Sequence, residues 1–174
     1  MSGIIGKGST VSGTLGYTGM GVVQIVSKRS TTQYTTTGGW NDTSITMEIT
    51  PKLARSHIHL TGILQVAMTN NSLAGGCSFK WKRSQSGQTD VYPDNLIPWD
   101  GSGAETYLDH WNQASWTAAE FNWKQPISGL DTTVHSAGSE VTYTLYSITY
   151  SLDGFVIGNA YESDSFFQAT EIAI

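Results

Sequence analysis

Residues 140–150, EVTYTLYSITY, alternate between two sides of the chain over eleven residues. A period of two in a stretch rich in β-branched and aromatic residues predicts a β-strand. One side carries Val141, Tyr143 and Leu145, and the other carries Tyr146, Ile148 and Tyr150 between threonines. A strand on the surface of a monomer has one apolar and one polar side, yet here both sides are bulky. We therefore expect the first side to fill the core and the tyrosine side to be covered by another chain.

Seven more segments have strand patterns, and they account for most of the chain outside one insertion. They are residues 20–27, 28–37, 45–50, 57–69, 77–83, 116–124 and 165–173. Alternation within them places one set of large apolar side chains inward: Ile45, Met47, Ile49, Ile58, Leu60, Leu64, Val66, Met68, Phe79 and Trp81. Residues 20–27 are apolar on both sides, which predicts a central strand or one that faces an interface.

Turn signals separate these segments. Pro51 ends one strand, residues 125–139 are expected to form a turn region, and Asp153-Gly154 predicts a tight hairpin before Phe155. Roughly eight to ten short strands, with turns about every ten residues and no convincing helix, predict an all-β protein. We expect an antiparallel β-sandwich of jelly-roll, TNF-like type, covering residues 20–174.

Length, charged fraction and cysteine count limit the class of protein. A chain of 174 residues is long enough for one domain with a sizeable core, and charged residues make up only 13% of it. About 25% is usual, so part of the surface is expected to be covered by partners. The single cysteine, Cys77, excludes an internal disulfide and a cysteine-based zinc site.

Charge is distributed unevenly along the chain. Residues 1–83 hold eight of the nine basic residues and two of the fourteen acids, a net charge of +6, whereas the remainder carries −11. The overall net charge of −5 argues against a general nucleic-acid-binding protein, which needs a basic surface. No secretory signal and no apolar run of about 18 residues occur, so we expect no membrane partner and synthesis in a host cytoplasm.

Residues 1–19 are rich in glycine and serine and have neither strand nor helix periodicity. Small residues allow close packing against another backbone, while glycine loses much entropy on ordering. One interpretation is an anchor arm that attaches the domain to a larger assembly through Ile4, Ile5, Leu15 and Tyr17. The alternative is that the arm folds back along its own domain.

The insertion at residues 84–115 is the longest stretch without alternation, and it combines aromatic with polar residues. Such residues stack on sugar rings and hydrogen-bond to hydroxyl groups, and they are also enriched in protein interfaces. Both a glycan site and a protein contact therefore remain open. The candidate contact residues are Trp99, Asp100, Tyr107, Trp111 and Asn112.

Two arrangements of histidine residues could form chemical sites. His57 and His59 are two residues apart on a strand and point the same way, which suits zinc only if a third ligand arrives. We interpret them as structural or interface residues. The alternative is a metal site formed by a ring of histidines from three chains about an axis. Asp109-His110 lacks the Gly-x-Ser-x-Gly motif of a hydrolase, so no catalytic residue and no cofactor are expected.

Several segments resemble phage virion proteins. MSGIIG followed by SGTLG resembles the N-termini of marine-phage virion proteins. GVVQIVS, SITMEITP, SEVTYTLY, VIG and a last strand ending in Glu171-Ile172 resemble the C-terminal β-domains of phage tail-fibre and head-fibre proteins, as does the loop with Pro126, Thr132 and Thr133. The resemblance implies a trimeric jelly roll that is not an enzyme.

From this resemblance we expect a virion protein that decorates or braces a capsid, or serves as a head fibre, and contacts other virion proteins through its N-terminal arm. The expected trimer interface includes Tyr146, Ile148 and Tyr150, or the strand residues Val22, Gln24 and Val26. The alternative function is host attachment by a glycan-binding tail-fibre tip or lectin-like module.

Overall fold

The structure is a computed structural model, and it describes residues 21–35, 39–68, 77–92, 121–149, 155–158 and 164–174. Every regular element within these ranges is a strand, which confirms the all-β prediction. The strands are β1 Gly21–Ser30, β2 Gln33–Thr35, β3 Asn41–Ile49, β4 Ser56–Met68, β5 Cys77–Gln85, β6 Phe121–Asp131, β7 Val141–Thr149, β8 Phe155–Gly158 and β9 Ser165–Ala173.

The strands form two antiparallel sheets that pack as a β-sandwich. In the larger sheet β4 lies between β6 on one side and both β8 and β9 on the other. β1 then pairs with β9, and β2 pairs with β8. The smaller sheet has the order β3-β7-β5.

The six strands of the larger sheet occupy only four positions across it. β9 and β8 lie end to end along β4, and β1 and β2 lie end to end along β9 and β8. The two interruptions adjoin each other, because Ser30 pairs with Ser165 and Gln33 pairs with Gly158. At the interruption the backbone N–H of Gln65 donates a 2.9 Å hydrogen bond to the buried Ser165 hydroxyl.

The core lies between the sheets and is built from alternate residues of each strand. Most of the side chains that alternation places inward are buried: Ile45, Met47, Ile49, Ile58, Leu60, Leu64, Val66, Phe79, Trp81, Val141, Tyr143 and Leu145. Met68 was also predicted inward, but its side chain lies outside the described residues. Phe167 joins the core from β9 and meets Trp81 of the opposite sheet edge-on, with ring centroids 5.6 Å apart.

Gly62 is required by close packing inside the larger sheet. A Cβ atom at this position would lie 2.6 Å from the carbonyl oxygen of Phe166 and 2.6 Å from Cδ1 of Phe167. The Phe167 ring therefore occupies the space that any larger residue at position 62 would need.

The structure corrects three details of strand placement. Asp153-Gly154 lies outside the described residues, but the flanking strands β7 and β8 belong to different sheets and therefore do not form the predicted hairpin. Of the two alternatives for residues 20–27, the central strand is wrong, because β1 is an edge strand, and it continues through Ser30. Residues 125–131 were expected to be a turn but belong to β6.

Proline is tolerated in β6 because, among the described strands, β6 pairs only with β4, so Pro126 needs no backbone donor toward a second neighbour. On the opposite side of the sandwich, β1 of the larger sheet meets β3 of the smaller one. There Lys28 Nζ lies 2.8 Å from a carboxylate oxygen of Glu48. A charged pair thus joins the two sheets at this edge.

Candidate functional site: an aromatic face on the smaller sheet

The outward side of the smaller sheet carries a cluster of aromatic and lysine side chains. We call it the aromatic face and define it as Trp40, Lys80, Lys82, Tyr92 and Tyr146. β7 and β5 pair so that Tyr146 lies directly opposite Lys80, which places both side chains next to each other on the outward side of the sheet. Trp40 precedes β3, and Tyr92 follows Val91, which forms an isolated bridge with Arg83 of β5.

The ammonium group of Lys80 lies between two aromatic rings. Its Nζ is 3.9 Å from the ring centroid of Trp40 and 4.3 Å from that of Tyr92. Tyr92 in turn meets Tyr146 edge-on, with centroids 5.9 Å apart. Cation–π contacts of this kind are each worth about 0.5–1 kcal/mol at exposed sites. Together they position three rings on one surface.

A carboxylate of the same chain balances the charge of Lys82 on the aromatic face. Lys82 Nζ lies 2.7 Å from a carboxylate oxygen of Asp90. The hydrogen bond to Asp90 raises the pKa of Lys82, so this side chain stays charged. Partial burial raises the pKa of Tyr146, which keeps its phenol neutral.

The aromatic face can bind through ring surfaces. Tyr92 is 43% exposed, and its ring meets that of the half-buried Tyr146. The ammonium group of Lys80 contacts both Tyr92 and the half-buried Trp40. Such surfaces stack on sugar rings or bury area against another protein. The face also supplies part of the cover that we expected Tyr146 to receive from another chain, because Tyr92 comes from the same chain.

The structure separates the other residues predicted to form the trimer interface. Ile148 is half-buried on the same side as Tyr146, whereas Val22 lies on the larger sheet with 40% of its surface exposed. Val26 packs against the core of its own chain. Gln24 points inward and donates hydrogen bonds to Glu171 and to the carbonyl oxygen of Thr50. Tyr150 lies outside the described residues.

The remaining candidate residues divide into two groups. The proposed anchor residues Ile4, Ile5, Leu15 and Tyr17 and the insertion residues Trp99, Asp100, Tyr107, Asp109, His110, Trp111 and Asn112 lie outside the described part of the chain. His57 and His59 lie half-buried on the outward side of β4, and Nε2 of His59 is 3.1 Å from the Ser128 hydroxyl.

Sequence reasoning missed a buried polar cluster that joins the two sheets. Arg83 of β5, Asp131 of β6 and Tyr143 of β7 are all almost fully buried. Nε of Arg83 lies 3.2 Å from Oδ2 of Asp131 but is poorly aligned for a hydrogen bond, so the contact is an ion pair. Tyr143 donates a 2.5 Å hydrogen bond to the same oxygen, and burial raises its pKa well above the ordinary value.

A second buried cluster surrounds Glu171 of β9. Its carboxylate accepts hydrogen bonds from the backbone N–H groups of Lys52 and Leu53 and from the side chains of Ser56 and Gln24. Burial alone would raise the pKa of Glu171, but these four donors outweigh it and lower the pKa. The Glu171-Ile172 pair was noted only as a strand ending, because its partners are far away in sequence.

The same cluster brings together a serine, a histidine and a carboxylate, but not as a catalytic triad. The Ser56 hydroxyl lies 2.9 Å from Nε2 of His135 and 2.8 Å from Glu171. In a triad the carboxylate orients the histidine through Nδ1, yet here Nδ1 faces the carbonyl oxygen of Thr133. All three side chains are at most 3% exposed. Their arrangement fixes the loops that carry Lys52 and His135.

Among the described residues, no three His, Cys, Asp or Glu side chains are grouped so that they could hold a metal ion. No helix within the described part of the chain is long and apolar enough to cross a membrane. Comparison with known protein families and with curated proteins finds no match for this sequence.

Proposed function

We propose that this protein is a non-enzymatic structural component of a phage virion. In this proposal it is a homotrimeric jelly roll that decorates or braces the capsid, or forms a head fibre. Residues 1–19 attach it to other virion proteins. The observation that carries the proposal is the order in which the strands pair.

The pairing is nested from the two ends of the chain inward. If β1 with β2 and β8 with β9 each count as one strand, the first pairs with the last. The second, β3, pairs with the second-last, β7, and the third, β4, pairs with the third-last, β6. A jelly roll winds a folded-back chain around the sandwich in this same order, and jelly rolls are common in viral capsid proteins and lectins.

The fourth strand, β5, begins the innermost turn of this nesting. After β5 the chain turns back, and Arg83 and Val91 exchange two backbone hydrogen bonds of 2.8 and 3.0 Å. This antiparallel return on the free edge of β5 is where a jelly roll has its fifth strand. It supports the jelly-roll assignment over an unrelated sandwich.

The polar interior supports a structural role. The two clusters around Asp131 and Glu171 are held by hydrogen bonds and an ion pair within the chain, and they connect loops and sheets. Buried polar networks of this kind stabilise one arrangement of the elements.

Copy number and attachment test the proposal. Light scattering of the purified chain should give three times its mass of 18.8 kDa. Quantitative mass spectrometry of purified particles should detect the protein, with hundreds of copies for a capsid position and a few dozen for a tail position. A chain that is monomeric and absent from particles contradicts the proposal.

The arm is tested separately. Deletion of residues 1–19 should leave the melting temperature nearly unchanged, because this glycine-rich segment has no periodicity that would supply an apolar side to the core. It should abolish incorporation into particles. Normal incorporation of the truncated chain would show that another part of the protein makes the attachment.

The aromatic face favours one alternative function, glycan binding at a host surface. Under this alternative Tyr92→Ala should abolish retention on a glycan array without lowering the melting temperature. Val134→Ala is the control, since Val134 is an exposed apolar residue on a different loop. Trp99→Ala and Trp111→Ala test the insertion in the same assay. Absence of glycan binding by the unaltered protein favours the purely structural role.

A further inference from the structure

The outward side of the larger sheet has an unusual number of exposed apolar side chains. We call this surface the large-sheet face; it is formed by the side chains of β1, β9, β6 and residues 56–63 of β4 that point away from the core. Val22, Ile25, Ile63 and Phe166 lie on it, and each is between 40% and 55% exposed. Exposed apolar groups concentrated on one surface of a soluble protein often mark an interaction site.

Register places these residues at two ends of the face, with a neutral polar row between them. The row crosses all four positions of the sheet as Ser27, Gln168, Thr61 and Ser128. Val22 and Ile25 lie on one side of this row, and Ile63 and Phe166 lie on the other. The face thus offers hydroxyl and amide groups at its centre and apolar contacts at both ends.

Charge on the large-sheet face suits contact with an identical chain. Arg29, at one corner, forms an ion pair with Asp164 of its own chain. The polar row and the apolar positions carry no charge. His57 and His59 also lie on this side of β4, and histidines are generally uncharged at pH 8. At that pH two copies can approach through this face without bringing like charges together, which is the main electrostatic obstacle to self-association.

The edges of the larger sheet do not favour pairing with another strand. β6 carries Pro126 and the exposed Lys124, both of which disfavour strand addition. β1 has a bulge between Val22 and Gln24, and Lys28 is held by Glu48 of β3. Association through the face is therefore favoured over association through an edge.

The size of the face is sufficient for a stable contact. Four strand positions about 4.8 Å apart and nine residues of about 3.4 Å each span a flat area of about 600 Å². Standard interfaces bury about 800 Å² of accessible surface per partner, and a pleated face exposes more than its flat area.

We infer that copies of this chain pack against one another through the large-sheet face. This inference rests on the proposed oligomeric virion protein and names the surface that its subunits share. It leaves the aromatic face of the smaller sheet free to contact other partners.

Charged substitutions test the contact. In the full chain at pH 8, where histidines are generally uncharged, Ile25→Asp with Ile63→Asp should weaken association by about 100-fold or more, since each carboxylate would be buried among apolar groups. Val134→Asp is the matched control, because Val134 is a 77% exposed apolar residue outside the face. Sedimentation velocity over a range of concentrations measures the effect. Unchanged melting of the diluted variants shows that they fold.

Cross-linking tests the same surface without adding charge. Ser27 and Ser128 are the two ends of the polar row, so we place cysteines there in a chain carrying Cys77→Ser. With a short bismaleimide, a trimeric ladder from Ser27→Cys with Ser128→Cys supports a ring in which one side of the face meets the other side of the next copy. Cross-linked dimers from Ser27→Cys alone support the face but contradict the proposed trimer.

The outcomes separate the inference from the proposed function. If the unaltered chain is a trimer that Ile25→Asp with Ile63→Asp leaves intact and Tyr146→Asp dissociates, the copies meet through the smaller sheet. The inference is then wrong while the proposed function stands. If the unaltered chain is a monomer at every concentration, the inference is wrong. The proposed function is wrong as well if that monomer is also absent from particles.

Discussion

The phenolic oxygen of Tyr143 donates a 2.5 Å hydrogen bond to Oδ2 of Asp131, and this contact joins the two sheets inside the core. The same carboxylate oxygen neutralises Arg83, while its other oxygen accepts a 2.8 Å hydrogen bond from the backbone of Thr133. One aspartate at the end of β6 therefore fixes β5, β7 and the following loop.

Asp131→Asn should strongly destabilise the fold. The substitution leaves the buried guanidinium of Arg83 without a counter-charge, and breaking a buried pair costs about 3–5 kcal/mol. Urea denaturation at pH 7 measures the loss. Asp90→Asn removes the counter-charge of Lys82 at the surface and should cost at most about 1 kcal/mol. Equal losses in the two variants would contradict a special role for Asp131.

Glu171 should make stability depend on pH in the acid range. Its folded-state pKa lies below the ordinary value of 4.5, so its contribution is fully present above that value. The contribution is lost as pH falls through the lowered pKa. Glu171→Gln should therefore lower stability at pH 7 and flatten the decline of the unfolding free energy below pH 5.

Two controls isolate this effect in the same denaturation series. Glu140→Gln changes an exposed carboxyl and should leave the profile as it is. Burial alone would raise the pKa of Glu48, but hydrogen bonds from Lys28 and Thr46 outweigh it and lower the pKa, so Glu48 keeps its own pH dependence in every variant. If the unfolding free energy declines equally at acid pH with and without Glu171, the cluster is not the source of this pH dependence.

Phe167→Ala should cost about 3–5 kcal/mol, because it removes a buried ring and leaves a cavity beside Trp81. The adjacent residue provides the control. Phe166 lies on the same strand but points outward and is 49% exposed, so Phe166→Ala should cost less than about 1 kcal/mol. Thermal unfolding at low protein concentration compares the two without contributions from self-association.

Gly62→Ala should destabilise the protein by about 1–3 kcal/mol, as expected for overpacking in a filled core. The added methyl group would meet the backbone of Phe166 and the ring of Phe167, which are held by pairing with β4. Thr61→Ala, one residue earlier, changes the outward side of the strand and should be nearly neutral. A stable Gly62→Ala variant would mean that β9 can shift away from β4.

Sequence alone determined which side of most strands faces the core. Alternation is a local property, so the buried side of a strand can be predicted without knowing which strand it pairs with. The inward positions of Ile45, Phe79 and Val141 were therefore predictable, as was the last strand, whose predicted bounds at residues 165–173 match β9. The unusual bulk on both sides of β7 was also visible without any structure.

Only the tertiary structure decided which strands pair and which polar groups meet. The Asp153-Gly154 signal predicts a turn but not whether the flanking strands share a sheet, and here they do not. Glu171 meets Ser56 across 115 positions of sequence, and Lys80 of β5 lies between the ring of Trp40, which precedes β3, and the ring of Tyr92. Side-chain period is fixed by each strand's own backbone, whereas pairing and buried charge depend on the free energy of the whole sandwich.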